Sequence, residues 1–334
     1  MVGETTKTAR RVSVVVPTRN RPEQLRRALQ SIRALEGSDL RFEILIGDNG
    51  ECAETPRLAA EFGALHTRCT IMGASAARNA AMALATGDYI AFLDDDDAWL
   101  PGHIRPHLDL LARRPELLGV IGKVRFADEH LRPLDTGDWP DKHPGEGDDL
   151  VRRMLSGYFP QIGTTVVRAS VRSESGGFDP DLIGGEDLDW LMRLSGRHAL
   201  GFVETPCILF SQRRIGDYDE LHRLRIDYDR KVFRRHARKH WRVWRSPFEY
   251  MRAYSGTLMH FFTYFVAVAH MSALNGERLR SLRAIWTSVT IFPLRSAKYL
   301  LTDSPLREAF VIALLAWPAA HRTHLPIWLA LLHV

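Results

Sequence analysis

Four consecutive carboxylates, Asp94 to Asp97, stand directly behind the apolar run Ile90-Ala91-Phe92-Leu93 and ahead of Ala98-Trp99. Asp is a poor strand residue and adjacent like charges repel, so such a run persists most easily where a divalent cation or a hydrogen-bond network neutralises it. Hard cations such as Mg2+ and Mn2+ prefer carboxylate oxygen and keep positions open for substrate phosphates. The run therefore reads as a metal–diphosphate site, against the plainer alternative of a strand-to-helix turn with Asp97 as a helix N-cap. A second acidic group, Glu186-Asp187-Leu188-Asp189-Trp190, follows Gly184-Gly185 and reads as a loop entering a helix, where acids also favour the helix dipole.

The elements that must position these groups alternate. Val12 to Val16 is a strand ended by Pro17, and Arg21 to Leu35 carries Leu25, Ala28, Leu29 and Ile32 at helical spacing. Phe42 to Ile46 is a second strand that stops at Gly47-Asp48-Asn49-Gly50, and a helix follows around Pro56 to Phe62. Thr67 to Met72 reads as a third strand, Ser75 to Ala85 as an alanine-rich helix, and Asp88 to Leu93 as the strand that delivers the aspartates. This alternation predicts an α/β fold with a mostly parallel, Rossmann-like sheet flanked by helices. Ligands of such sheets sit outside the carboxyl ends of the strands, which is where Pro17-Thr18-Arg19, Asp48 and the aspartate run fall. Asp135 to Asp149, rich in Gly, Pro and acids, reads as a loop over the acceptor side or a surface excursion.

These segments carry a resemblance. Val14-Val15-Val16-Pro17-Thr18-Arg19-Asn20-Arg21, Glu43 to Gly50, Ala77-Arg78-Asn79 and Gly87 to Asp97 look like the ordered motifs of GT-A glycosyltransferases of family 2, over roughly residues 10 to 215. The resemblance implies inverting transfer of a sugar from a nucleotide-sugar donor, uridine favoured, with Mg2+ or Mn2+ bridging the diphosphate. It places Asp94 and Asp96 on the DxD positions, with Asp96 the first choice for direct metal ligation and Asp95 in the variable slot beside the nucleotide-sugar. Pro17, Thr18 and Arg19 then shape the loop for base and ribose. Asp48 is placed to accept from a nucleobase imide, or else is an Asx-turn residue. Arg78 could reach the diphosphate or a neighbouring aspartate, or lie on the surface of an alanine-rich helix. In the second acidic group the resemblance makes Asp187 the general base, Glu186 and Asp189 orienting or acceptor-binding groups, and Trp190 a platform for a sugar ring. Asp189 and Arg193 are also spaced for an intrahelical ion pair. Gln212-Arg213-Arg214 lacks the tryptophan of the QxxRW loop of processive members, so one sugar per encounter is expected, with Arg213 or Arg214 near the diphosphate.

The family motifs end near residue 215, which divides the chain into a catalytic domain, 1–215, and a basic, amphipathic helical region, 216–334. His222 to Arg245 is dense in Arg, Lys and His with Tyr228, Val232 and Phe233 interleaved. Apolar stretches follow at Tyr254 to Leu274, Ala309 to Ala320 and Leu325 to Val334; none reads as the roughly 20 clean apolar residues that cross a bilayer. They read either as interfacial helices on an anionic leaflet or as a helical subdomain. Net charge is +5, but no nucleic-acid module accompanies it, so nucleic acid is not an expected partner. Cys52, Cys69 and Cys207 lie far apart, with no histidine at zinc-ligand intervals, and read as thiols of a reducing compartment. Met1 to Arg11 has no secretory pattern. The expected partners are a nucleotide-sugar donor, a glycan or lipid-linked acceptor and a membrane surface; the expected place is cytoplasmic, peripheral to the inner face of the membrane.

Overall fold

The computed structural model describes residues 9–212 and 215–315. These fall into two compact units, one of residues up to 154 with 159–212, the other of 155–158 with the residues from 215 onward.

In the first unit the chain runs β1 (Arg10–Thr18), α1 (Pro22–Arg33), β2 (Leu40–Asp48), α2 (Glu54–Glu61), β3 (Leu65–Arg68), α3 (Ala74–Ala83), β4 (Tyr89–Phe92), β5 (Ala98–Trp99) and α4 (Arg105–Arg113). It continues with β6 (Gly119–Ala127), β7 (Pro133–Trp139), α5 (Asp148–Leu155), β8 (Val166–Arg168), α6 (Val171–Glu174), α7 (Glu186–Ser195) and β9 (Leu200–Ser211). One nine-stranded sheet results, in the order β3-β2-β1-β4-β8-β6-β9-β5, with β7 added to β6. From β3 to β4 every pairing is parallel, as the alternating pattern predicts. Beyond β4 the sheet is mixed: β8 runs antiparallel to β4 and β6, β9 parallel to β6, and β5 antiparallel to β9.

Local sequence explains these elements. Val12, Val14, Val15 and Val16 are all buried, because β1 is central and covered on both faces, and β-branched residues suit that environment. Pro22 opens α1, whose buried residues are Leu25, Ala28, Leu29 and Ile32. The small residues of α3 let it lie on β2: a Cβ on Gly47 would stand 2.1 Å from the Ala77 carbonyl oxygen. The first residues of the segment expected to be a loop, 135–139, instead belong to β7, a strand antiparallel to β6 whose pairing is offset by an irregularity between Arg125 and Ala127.

The second unit is helical: α8 (Asp219–Lys239), α9 (Pro247–Leu274), α10 (Arg278–Ile291), α11 (Pro293–Leu301) and α12 (Pro305–Leu315). Its core gathers Leu258, Phe261, Phe262, Phe265 and Ala269 of α9 with Ala284 and Ile285 of α10 and Leu306 and Ala309 of α12. Contrary to the sequence-based expectation, α9 is long and apolar enough, by length and composition, to cross a membrane; 56% of its apolar window is buried within the protein. The apolar stretch from Leu325, and Ala309 to Ala320 beyond residue 315, lie outside the described residues.

Candidate active site

The acidic run forms a turn at the carboxyl end of β4, closed by the Asp97 amide donating to the Asp94 carbonyl at 3.2 Å. Alternate members have different fates. Asp95 and Asp97 are buried, whereas the side chains of Asp94 and Asp96 keep 33% and 20% of their surface. Asp97 accepts from the Ser211 amide of β9 at 2.8 Å, which fastens the turn to the far side of the sheet rather than capping a helix. Asp95 accepts from the Thr18 hydroxyl at 2.8 Å and from Arg21 at 3.1 Å, and the same Arg21 nitrogen lies 3.3 Å from Asp96. Burial, seconded by the neighbouring Asp96 charge, pushes the Asp95 carboxyl up to about 6, against the opposing pull of Arg21 and Thr18.

A single guanidinium joins this turn to the second acidic group. Arg78, buried on α3, donates to Asp94 at 2.7 Å and to Glu186 at 2.9 Å. Although burial disfavours its charge, the negative charges of Asp94, Glu186 and Asp187 raise its pKa above the ordinary arginine value. Asn79, the next residue, clasps the main chain of Phe178: its amide donates to the carbonyl at 2.8 Å and its oxygen accepts from the amide at 2.8 Å. Gly185 enters α7 with φ 68°, a conformation glycine adopts without strain, and Glu186 and Asp187 are the helix's first two residues. Asp187 is half-buried and its carboxylate accepts from the Leu188 amide at 2.8 Å. The structure therefore brings Asp94, Arg78, Glu186 and Asp187 together.

At the end of β2, Asp48 is buried and accepts from the Gly50 amide at 2.6 Å, the Asx-turn alternative of the sequence reading, with His66 Nε2 3.1 Å from its other oxygen. Thr18 pairs in register with Asp48 and Pro17 with Gly47, while Arg19 is exposed at the strand end. Asn20, at φ 54°, accepts from the Glu51 and Cys52 amides at 2.7 and 3.1 Å and so ties the loop after β1 to the loop after β2. Sequence reasoning missed Asn20, Arg21, His66 and Asn79 as site-building residues. Asn20 and Arg21 directly follow Pro17-Thr18-Arg19, which was the signal available.

Two sequence expectations are corrected. Trp190 is not a sugar platform: it is wholly buried, stacked on Phe178 with ring centroids 4.9 Å apart and edge-on to Phe92 at 5.3 Å, its indole N–H donating to the Gly176 carbonyl. Nor is Asp189 an acceptor contact; it is fully buried and holds Arg193 at 2.9 Å, and Arg193 in turn donates to the Ser175 and Gly177 carbonyls. The helix turns both side chains inward, while Glu186 and Asp187 stay partly exposed. Arg213 and Arg214 lie outside the described residues.

The donor set fits a hard divalent cation. Asp94 and Asp96 offer partly exposed carboxylate oxygens, with Arg78 bonded to Asp94 Oδ1 and Arg21 to Asp96 Oδ2.

Residues 13–163 match a family model described as glycosyl transferase family 2. Over 201 residues, 55% of this chain, the sequence is 32% identical to the pre-mycofactocin glycosyltransferase of Mycobacterium tuberculosis; the match spans 39% of that protein's length. Over 212 residues it is 31% identical to the uncharacterized glycosyltransferase MJ1057 of Methanocaldococcus jannaschii, covering 61% of this chain and 71% of the relative. S. aureus TarS 1-349, solved in complex with UDP-GlcNAc, has a similar fold, with a TM-score of 0.52 at 14% identity over 87% of this chain and 92% of that one.

Proposed function

The chain belongs to glycosyl transferase family 2, and from that premise we propose that it transfers one sugar, with inversion, from a nucleotide-diphosphate sugar to a hydroxyl of a glycan or lipid-linked acceptor. A uridine donor is favoured. The observation that carries this reading is the Arg78 bridge, which sets the carboxylates of a DxD-type turn beside the start of α7.

In this mechanism Asp187 accepts the proton of the acceptor hydroxyl as that oxygen bonds to the anomeric carbon. The bond from that carbon to the diphosphate oxygen breaks on the opposite face, and the nucleoside diphosphate leaves. Mg2+ or Mn2+ held by Asp94 and Asp96 would supply positive charge to the leaving diphosphate. Arg78, committed to two carboxylates, positions Asp94 and Glu186 rather than reaching for substrate. Asp95 anchors the turn to Thr18 and Arg21, and Pro17, Thr18, Arg19 and Asp48 line the donor side. Glu186 holds the base-bearing turn through Arg78.

We place the enzyme at the cytoplasmic face of a membrane. Exposed Phe248, Leu279, Trp286, Leu294 and Leu301 of the helical unit, together with the basic residues of α8, suit an anionic surface. A non-catalytic scaffold role is disfavoured because both Asp96 and Asp187 are retained.

Product analysis tests the reading. Nuclear magnetic resonance of sugar transferred to an acceptor, or to water, is expected to show the anomer opposite to the donor's, with turnover lost in Asp187→Asn while donor binding persists. A retained anomer, or full turnover in Asp187→Asn, would overturn it.

A further inference from the structure

Away from the acidic turn, three ligands of a different chemistry meet inside the first unit. His103 lies just before α4, His107 four residues on within it, and Cys207 on β9, a hundred residues later. All three are buried, and one nitrogen from each ring and the thiol sulfur lie within 4.8 Å of one another. The two imidazoles meet edge to face with centroids 4.6 Å apart.

Their hydrogen bonding is incomplete. Among the described residues, neither nitrogen of His103 has a hydrogen-bond partner, and neither does Nδ1 of His107. His107 Nε2 is 3.0 Å from the Thr164 carbonyl oxygen, and the Cys207 sulfur is 3.2 Å from the Thr205 carbonyl oxygen and 3.9 Å from His107 Nε2. Buried polar groups are nearly always satisfied, so three orphaned imidazole nitrogens beside a thiol mark an incomplete site. Gly122 keeps the space open, since a Cβ there would stand 2.3 Å from the Cys207 sulfur and 3.4 Å from His107 Nε2.

We propose that His103, His107 and Cys207 form a second metal site, separate from the aspartates, that takes a thiophilic first-row divalent cation, Zn2+ before others. Two imidazoles and a thiolate suit Zn2+ and repel the claims of Mg2+ and Mn2+, which want oxygen. The Thr164 and Thr205 carbonyls supply nearby oxygen for a remaining position. Burial holds His107 down at about 4 and His103 well below the usual histidine range, so both are in the neutral, ligating form. It also pushes the Cys207 thiol up to about 12; metal uptake therefore replaces the thiol proton, which leaves to solvent as the metal–sulfur bond forms.

Occupation would cross-link the start of α4 to β9. That strand also carries the Ser211 amide that holds Asp97, and Trp99, just after the aspartates, packs edge-on against His103 at 4.8 Å. The site thus stiffens the frame of the acidic turn without touching substrate.

The test titrates Co2+ into the chelator-stripped full chain. One equivalent is expected to produce a near-ultraviolet thiolate-to-cobalt absorption band that Zn2+ abolishes and Mn2+ does not. The band should vanish in Cys207→Ser, weaken in His103→Gln, and persist in Cys52→Ser, Cys69→Ser and Asp96→Ala. If Cys207→Ser fails to fold by circular dichroism, His103→Gln decides. Absence of the band in folded wild type, its survival in folded Cys207→Ser, or, where that variant does not fold, an undiminished band in His103→Gln would overturn the proposal. Neither donor nor turnover enters this readout, so its failure leaves the transferase reading standing.

Discussion

Arg78 and Glu186, 108 residues apart in the chain, are joined at 2.9 Å by a buried guanidinium whose other terminal nitrogen holds Asp94. The relationship makes one side chain responsible for the spacing between the two acidic segments. Removing it leaves carboxylates facing each other without their cation. Arg78→Ala is expected to lower stability by about 3 kcal/mol, at the lower end for broken buried pairs because Asp94 is one-third exposed. Arg78→Lys, with one ammonium for two carboxylates, should fold yet lose at least about tenfold in kcat/KM. Denaturant titration and steady-state kinetics check both.

Asp95 gives a pH dependence. Its folded pKa of about 6 lies above the ordinary 3.8, so its contribution to stability is fully present below pH 3.8 and is lost as pH rises through about 6. In chelator, where no cation offsets the charge, this group is expected to cost on the order of 2–3 kcal/mol by pH 7.5. Asp95→Asn should flatten stability between pH 4 and 7, measured as thermal midpoints across that range. Thr18→Val, which removes the donor to the ionised form, should steepen it.

Gly47→Ala probes the seat of α3. The added Cβ would meet backbone, not a flexible side-chain end, so α3 must shift, and Arg78 with it. A loss of about 1–3 kcal/mol is expected, with weakened nucleotide binding by calorimetry.

Trp190 distinguishes core from acceptor site. Trp190→Ala is expected to cost about 3–5 kcal/mol, while Trp190→Phe should leave the acceptor KM unchanged. A selective rise in acceptor KM for Trp190→Phe would restore the platform role that its burial argues against.

The legible part of this protein was local. The valine run of β1, the turn residues after β2 and the aspartates behind β4 each announce a strand end, and parallel topology alone carries them to one crevice. What could not be read was non-local. The β5–β9 pairing and the meeting of His107 with Cys207 depend on residues about a hundred positions apart, where no spacing rule applies. Trp190 misled because an aromatic beside acids suits a sugar and a core equally, and only the helix phase, set by Phe178 and Phe92, decides. The β7 strand hid in a sequence of Gly, Pro and acids because an exposed strand pairing with a single neighbour needs little apolar character.

The central claim is a metal-dependent nucleotide-sugar site built on Asp94 and Asp96. Calorimetric titration of UDP, GDP and dTDP, each with and without Mn2+, into wild type and Asp96→Ala tests it most directly. Tight binding of one nucleotide, UDP foremost, that requires Mn2+ and is lost in Asp96→Ala is the expected result. Binding that ignores both the metal and the substitution, or no nucleotide binding under any condition, would contradict it.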